Sequence, residues 1–177
     1  MRNVSLSLTF LLVTSAYVIA QSVEQRKDIR AGTSAQSESL RGLKGVSLTV
    51  DLFDRDGAMD ASERRAALKV LQDDARAQIE KAGIRLLNAI EIEDAGSPHL
   101  WMLLSMRKPS NFSYPLVSEL QLFQHANLWR DSSVEMSLVT WKADGAGAPE
   151  VNLAMLRNQL SSLFDRFIKD YLAANHK

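Results

Sequence analysis

The sequence contains no cysteine, and this absence excludes several kinds of site. Without thiols there can be no disulfide framework, no thiolate zinc site and no cysteine nucleophile. No charge of one sign dominates either, because 21 lysine and arginine residues are matched by 21 aspartate and glutamate residues. A net charge near zero provides no bulk attraction to nucleic acid or anionic lipid. The composition therefore predicts no nucleic-acid partner, and a core that holds together without covalent cross-links.

Histidine is scarce, with three in 177 residues, and the usual catalytic signatures are missing from the sequence. No serine lies in a G-x-S-x-G motif, and no pair of histidines has metal-ligand spacing. The segment Gly145-Ala146-Gly147 lacks the lysine and the serine or threonine of a phosphate-binding loop. We therefore expect no catalytic residues and no cofactor, and favour a protein that is not an enzyme. An envelope hydrolase with a serine or carboxylate site that these motifs do not reveal stays open as the alternative.

The first 20 residues have the features of a secretory signal peptide. Arg2 supplies a short positive region, and residues 6–20 are free of charge and rich in leucine, valine and alanine. Val18 and Ala20 stand at the −3 and −1 positions of a small-residue cleavage site, so Gln21 is the expected new N-terminus. This pattern predicts a protein that is periplasmic or secreted and soluble once the signal is cleaved. We expect contact with the membrane only through the uncleaved signal segment.

The rest of the chain divides into a leader and one domain. Residues 21–39 are polar and small, with few side chains that could be buried, which predicts a flexible leader. Residues 40–177 have the length of a single domain and the hydrophobic patterning of one. We therefore interpret residues 40–177 as one α/β domain.

The domain begins with a strand and a helix. Residues 46–52 alternate between apolar and polar side chains, which predicts a strand with one buried face. Asp60 and Glu63 have the spacing of a capping box, which predicts that a helix begins there. Gly83 follows the apolar stripe of that helix and is expected to end it in a left-handed conformation.

Four more strands and a second helix are predicted after Gly83. Apolar side chains at every second position predict strands over residues 84–92, 100–106, 116–128 and 134–138. Apolar side chains at helical spacing predict a last helix from Leu153 to Tyr171. The order is β-α-β-β-β-β-α, which predicts an α+β two-layer sandwich with a mostly antiparallel sheet and both helices on one face. A right-handed crossover makes the first two strands parallel.

This element order resembles that of small periplasmic α/β modules of the bacterial cell envelope. Examples are the N-terminal domain of TolB and the lipopolysaccharide-assembly lipoprotein LptE. The resemblance covers residues 43–172 and lies in the order of the elements alone, without a shared residue motif. The chain departs from the lipoproteins because no cysteine follows the signal to accept a lipid. The resemblance implies an accessory role in the envelope and assigns no site residues.

One acidic string has the spacing of a calcium loop. Asp54, Asp56, Asp60 and Glu63 fall on positions of an EF-hand loop. The leading aspartate is replaced by Leu52, and a strand stands where the entering helix belongs. An Asp-Gly turn followed by a capped helix accounts for the same residues, so we interpret the string as structural and predict no metal site.

Large apolar side chains also fall on the strand parity that points away from the expected helix layer. The candidate partner-binding residues on this outer face are Trp101, Leu103, Phe123, His125, Trp129, Val139 and Trp141. Polar residues separate them, and aromatic side chains on a polar open sheet are typical of binding surfaces. We therefore expect a non-enzymatic accessory domain that binds an envelope protein or an apolar ligand through this face. A structural module that only self-associates is the third possibility.

Overall fold

A computed structural model of the chain describes residues 35–57, 59–94, 96, 98–107, 116–147 and 151–175. It has a four-stranded mixed sheet with two long helices and two short helical segments. The strands are β1 (Ser47–Asp54), β2 (His99–Met106), β3 (Leu116–Leu128) and β4 (Asp131–Asp144). The helices are α1 (Ala61–Lys81), α2 (Ala89–Asp94) and α3 (Leu153–Asn175), and residues 35–38 form a helical turn. The predicted α+β class is confirmed.

Helix α1 begins and ends where the sequence predicts. The Asp60 carboxylate accepts hydrogen bonds from the backbone N–H groups of Ser62 and Glu63, while the Glu63 carboxylate accepts one from the Asp60 N–H. These bonds satisfy amide groups that have no partner inside the first helical turn. Gly83 adopts the left-handed conformation, with φ of 76°, just after the helix. The predicted capping box and helix stop are both confirmed.

The segment after α1 differs from the prediction. A strand is expected over residues 84–92, but only a single parallel bridge joins Leu86 to Val46, and residues 89–94 form the short helix α2. Asn88 begins that helix, because its side-chain oxygen accepts hydrogen bonds from the N–H groups of Ile90 and Glu91. Gly45 permits the close approach of the two chains at the bridge, since a Cβ atom there would clash with the Arg85 carbonyl.

The sheet order is β1-β2-β3-β4, with β1 and β2 parallel and the other two pairs antiparallel. Strand β1 therefore pairs in parallel with β2, which corresponds to the predicted strand at residues 100–106. It was expected to pair with a strand at residues 84–92. In β2 the even-numbered side chains Leu100, Met102, Leu104 and Met106 are all buried. They share one core with apolar side chains of both long helices, among them Leu71, Phe164 and Phe167.

A β-bulge divides the β3–β4 hairpin into a base and an arm. Leu122 pairs with Trp141 and the next residue, Phe123, pairs with Val139, so Thr140 is the extra residue on β4. Strand β2 pairs with β3 only as far as Phe123, and the hairpin continues beyond it. We call residues 124–139 the arm.

The beginning of the described chain lies against the base of the hairpin. Leu40 is fully buried, and the Ser39 hydroxyl donates a hydrogen bond to the Thr140 carbonyl at 3.0 Å. The Asn175 amide donates to the Leu40 carbonyl at 2.8 Å, which joins this segment to the end of α3. The predicted signal peptide, and the predicted leader up to residue 34, lie outside the described residues.

Within the described ranges, no helix combines the length and the apolar character needed to cross a membrane.

Candidate functional site

A shallow groove of about 530 Å³ lies on the outer face of the sheet. Its walls come from all four strands and from α2, because odd-numbered residues of β1, β2 and β3 point to this side. The lining residues are Ser47, Thr49, Asp51, Ile92, His99, Trp101, Phe123, His125 and Ser137. The groove thus combines an apolar centre with polar side chains at its margins.

Two aromatic rings form the apolar centre of the groove. The ring centroids of Trp101 and Phe123 lie 6.0 Å apart with a tilt of 49° between the planes, a favourable geometry for an aromatic pair. The indole Nε1 of Trp101 donates a hydrogen bond of 2.7 Å to the Asp51 carboxylate. This bond satisfies the indole N–H and fixes the orientation of the ring. An apolar surface that is already held in place loses little conformational entropy on binding.

A serine and a histidine meet at one end of the groove. Ser47 Oγ lies 2.9 Å from His99 Nδ1 and also donates to the Pro98 carbonyl at 3.2 Å. Partial burial lowers the pKa of His99 below its ordinary value of 6.5, and the charge of Asp51 opposes this effect without cancelling it. Burial therefore favours the neutral form of His99, and its Nδ1 is engaged with the Ser47 hydroxyl group.

His125 marks the opposite end, where the groove meets the arm. Its Nδ1 lies 2.9 Å from the Glu135 carboxylate on the neighbouring strand, and its backbone N–H donates to the Gly96 carbonyl. Leu103 and Val139 are on the same face, with Leu103 half-buried and Val139 exposed opposite Phe123. Five of the seven predicted partner-binding residues, namely Trp101, Leu103, Phe123, His125 and Val139, thus share one face of the sheet.

The prediction that Trp141 lies on the outer face is wrong. Its side chain is only 2% exposed and packs edge-on against Phe167, with ring centroids 5.2 Å apart. The indole Nε1 donates to the Asp170 carboxylate at 3.0 Å, so this tryptophan fastens β4 to α3. The physical reason is the bulge, because the extra residue Thr140 reverses the side on which later residues of β4 point.

Trp129 is not in the groove either. It lies in the turn between β3 and β4, at the tip of the arm, where its side chain is fully exposed. A second expectation is wrong for a different reason. Val134, Met136 and Leu138 are expected to be buried under the helices, but they are exposed by 39%, 41% and 41%. The β4 residues before the bulge point to the predicted side, since Leu138 pairs with Gln124 and Met136 with Ala126, but they lie in the arm, where the core does not cover them.

The acidic string holds the loop before α1 together. Asp60 caps the helix, and the Asp54 carboxylate accepts a hydrogen bond from the Met59 N–H at 2.8 Å. The pKa of Asp60 is lowered, chiefly by the hydrogen bond from the Ser62 hydroxyl. In the part of the chain that the structure describes, no group of three or more histidine, cysteine, aspartate or glutamate side chains could hold a metal ion.

Sequence reasoning missed the part of the site that comes from β1. Ser47, Thr49 and Asp51 share the outward parity of the first strand, and the parallel register places Thr49 beside Trp101. The signal that could have found them is the same alternation that marks residues 46–52 as a strand. The pairing of β1 with β2 makes these polar residues part of the aromatic surface.

Comparisons with protein-family models, with curated proteins and with solved structures find no match to this chain. The resemblance to small periplasmic modules therefore rests on the order of the elements alone. The groove must be interpreted from its own residues.

Proposed function

We propose that this protein is an exported, non-enzymatic accessory domain that binds a partner through the groove on the outer face of its sheet. The observation that carries the proposal is the Trp101–Phe123 pair, half-buried in a concave surface and oriented by Asp51. The partner is a molecule that presents an apolar or aromatic group, either an envelope protein or a small apolar ligand.

The chemistry of the groove supports this class of partner. An apolar group that covers both rings removes aromatic surface from water, and buried aromatic residues supply most of the binding energy at many interfaces. The hydroxyl groups of Thr49 and Ser137 lie around the rings and can hydrogen-bond to polar atoms that flank the apolar group. A mainly apolar surface with a few polar side chains is typical of binding sites.

The compartment belongs to the same proposal. Arg2, the uncharged run that follows and the Val18/Ala20 pair support export and cleavage before Gln21. Mass spectrometry of the N-terminal peptide of the protein from a periplasmic fraction should therefore find a chain that begins at Gln21, as glutamine or as the pyroglutamate that an N-terminal glutamine readily forms. Recovery of a chain with an intact Met1 from washed membranes would contradict export as a soluble protein.

The groove can be tested with a neutral apolar dye, N-phenylnaphthylamine, whose fluorescence rises when it leaves water. We expect saturable binding to the wild-type protein and binding at least roughly tenfold weaker in Phe123→Ala, the loss expected for about 1.4 kcal/mol. Trp129→Ala is the matched control, because it removes a larger aromatic side chain that is outside the groove. Equal dye binding by Phe123→Ala and the wild type would contradict the proposal.

A photo-crosslinking amino acid at Leu103 distinguishes the two kinds of partner. Leu103 is half-buried on the outer face, beside Asp51 in the β1–β2 register. In cells that express the protein, a protein adduct identifies a protein partner, and an adduct of low mass identifies a small ligand. The same amino acid at the tip residue Trp129 is the control for random collisions.

One contact favours a second function, an envelope hydrolase. Ser47 Oγ and His99 Nδ1 are within the distance of a nucleophile and its general base. However, Ser47 is only 8% exposed, and its hydroxyl is shared with the Pro98 carbonyl. A hydrolase predicts turnover of a small ester such as p-nitrophenyl butyrate that Ser47→Ala abolishes, whereas the binding proposal predicts no turnover by either protein.

A further inference from the structure

The arm presents an apolar stripe on the side of the hairpin opposite the groove. Val134, Met136 and Leu138 alternate with polar residues along β4, and each is about two-fifths exposed. Trp129 at the tip is fully exposed. Three large apolar side chains in a row on one exposed strand form a continuous surface, which is typical of an interaction site.

The same segment of β4 is also a free strand edge. Strand β4 is last in the sheet order, so within the described chain one of its edges has no strand partner. Proteins usually block such an edge with lysine, proline or a covering segment. Residues 131–139 contain no lysine, arginine or proline. Within the described residues, a covering contact lies at the base, where the Ser39 hydroxyl donates a hydrogen bond to the Thr140 carbonyl.

We propose that this edge pairs with the same edge of a second copy of the chain, antiparallel and with Met136 at the two-fold axis. The two arms then form one continuous ribbon. A two-fold axis perpendicular to a sheet keeps each residue on its own face, so one residue must lie opposite its own copy. Any residue satisfies this condition, but an axis near the middle of residues 131–139 gives the longest pairing, so Glu135, Met136 and Ser137 are the candidates.

The sequence of the arm favours Met136 among these three. With Met136 on the axis, Val134 lies opposite Leu138 of the second copy. Val134 is next to a second register shift of the hairpin, at Asn127/Leu128, so the regular part of the matched stripe runs from Glu135 to Val139. Glu135 then lies opposite Ser137, whose hydroxyl can donate a hydrogen bond to the carboxylate. An axis at Glu135 places two carboxylates directly opposite each other, which is destabilising. An axis at Ser137 places Glu135 opposite the apolar Val139.

The charges of the arm do not oppose this pairing. The Glu135 carboxylate lies 2.9 Å from His125 Nδ1, and the Asp131 carboxylate accepts a hydrogen bond from the Ser133 hydroxyl. Both acidic groups are thus engaged by side chains of their own arm. In this register apolar side chains face each other on one side of the edge. On the other side Glu135 faces Ser137 and Ser133 faces Val139, so no two like charges are opposed.

The absence of cysteine makes the register directly testable by cross-linking. Single cysteine variants at residues 135, 136 and 137 should be oxidised in the purified protein, with Ile90→Cys as an exposed control outside the arm. We expect Met136→Cys to form a disulfide-linked dimer several-fold faster than the other three. Faster cross-linking at 135 or 137 would overturn the proposed register, and rates equal to that of Ile90→Cys would overturn the pairing itself.

Sedimentation velocity tests the pairing without a cross-link. The wild-type protein should sediment increasingly as a dimer as its concentration rises. Val134→Lys with Leu138→Lys should remain a monomer, because two added charges on each copy would face each other. The double variant Ile90→Lys with Val117→Lys is the matched control, since both residues are exposed and outside the arm, and it should still dimerise.

Two further outcomes would overturn the proposal. One is a wild-type protein that stays monomeric at every concentration. The other is a protein that dimerises only after residues 21–34 are deleted, which would mean that this segment of the same chain, and not a second copy, occupies the edge. Circular dichroism of each variant establishes that the fold is intact. Phe123→Ala should leave dimerisation unchanged, so the arm and the groove are tested independently.

Discussion

The base and the arm of the β3–β4 hairpin belong to the same two strands, yet they differ in what covers them. At the base, Trp141 and Ala143 are buried against the helices. In the arm, Val134, Met136 and Leu138 show the same alternation and remain exposed. Alternation therefore identifies which side chains share a face, because it follows from the pleat of the strand. It does not reveal whether another element covers that face.

The three tryptophans show the same difference in burial at the level of single residues. Trp141 is in the core, Trp101 is half-buried in the groove and Trp129 is fully exposed at the tip of the arm. All three were expected on one outward face. Their separation follows from the bulge at Thr140 and from the end of β2 pairing at Phe123. The following substitutions test this division.

The largest effect is expected for Trp141→Ala. Removing a buried indole and its hydrogen bond to Asp170 should lower the free energy of unfolding by about 3–5 kcal/mol. Trp129→Ala removes the same group from an exposed turn, and its effect should stay within about 0.5 kcal/mol. Urea unfolding measures both. Similar midpoints for the two variants would mean that Trp141 does not connect β4 to α3.

A second pair of substitutions compares a leucine in the core with a leucine in the arm. Leu71 is fully buried on α1, so Leu71→Ala should cost about 2–5 kcal/mol. Leu138→Ala in the arm leaves no enclosed cavity, and we expect a loss of less than about 1 kcal/mol in dilute protein. The same urea experiment at low protein concentration applies. A large loss for Leu138→Ala in the monomer would show that the arm is covered.

A smaller effect is expected at the start of α1. Asp60→Ala removes the acceptor of the capping box and should lower stability by about 1 kcal/mol. Asp60→Asn keeps an oxygen acceptor and should recover most of that loss. If Asp60→Ala matched the wild type in thermal unfolding, the capping contacts would contribute nothing to stability.

The smallest effect concerns His99 and depends on pH. Because its pKa in the folded protein lies below the ordinary value of 6.5, the unfolded chain binds more protons in that range. The contribution of this group is therefore fully present above pH 6.5 and decreases as the pH falls below it. His99→Gln should flatten this part of the pH dependence of the melting temperature. An identical pH profile for variant and wild type would contradict the lowered pKa.

Local chemistry made much of the fold predictable. The capping box, the stop at Gly83, the strands at residues 100–106 and 116–128 and the last helix all follow from patterns within a few residues. The predicted strand at residues 84–92 failed for a local reason as well. Its apolar spacing also suits a short helix, and the Asn88 cap decides between the two.

The candidate site was less predictable, because it depends on contacts between distant parts of the chain. Trp101, Phe123 and His125 follow from strand parity, but Ser47 and Asp51 enter the groove only through the parallel pairing of β1 with β2. The apolar positions of β4 change from even to odd numbers between Leu138 and Val139, next to the bulge at Thr140, but only the register with β3 shows that Trp141 points inward. A one-residue shift in a strand exchanges its two faces, so an error there exchanges core and surface.

The indole N–H signals in a heteronuclear NMR spectrum test the binding groove most directly. The three tryptophans give one signal each, and the two in the folded body are distinguished by hydrogen bonds to Asp51 and Asp170. During titration with N-phenylnaphthylamine, the Trp101 signal should shift until the site is saturated, while the Trp129 and Trp141 signals stay in place. A shift confined to Trp129, with Trp101 unmoved, would place binding on the arm and contradict the proposed groove.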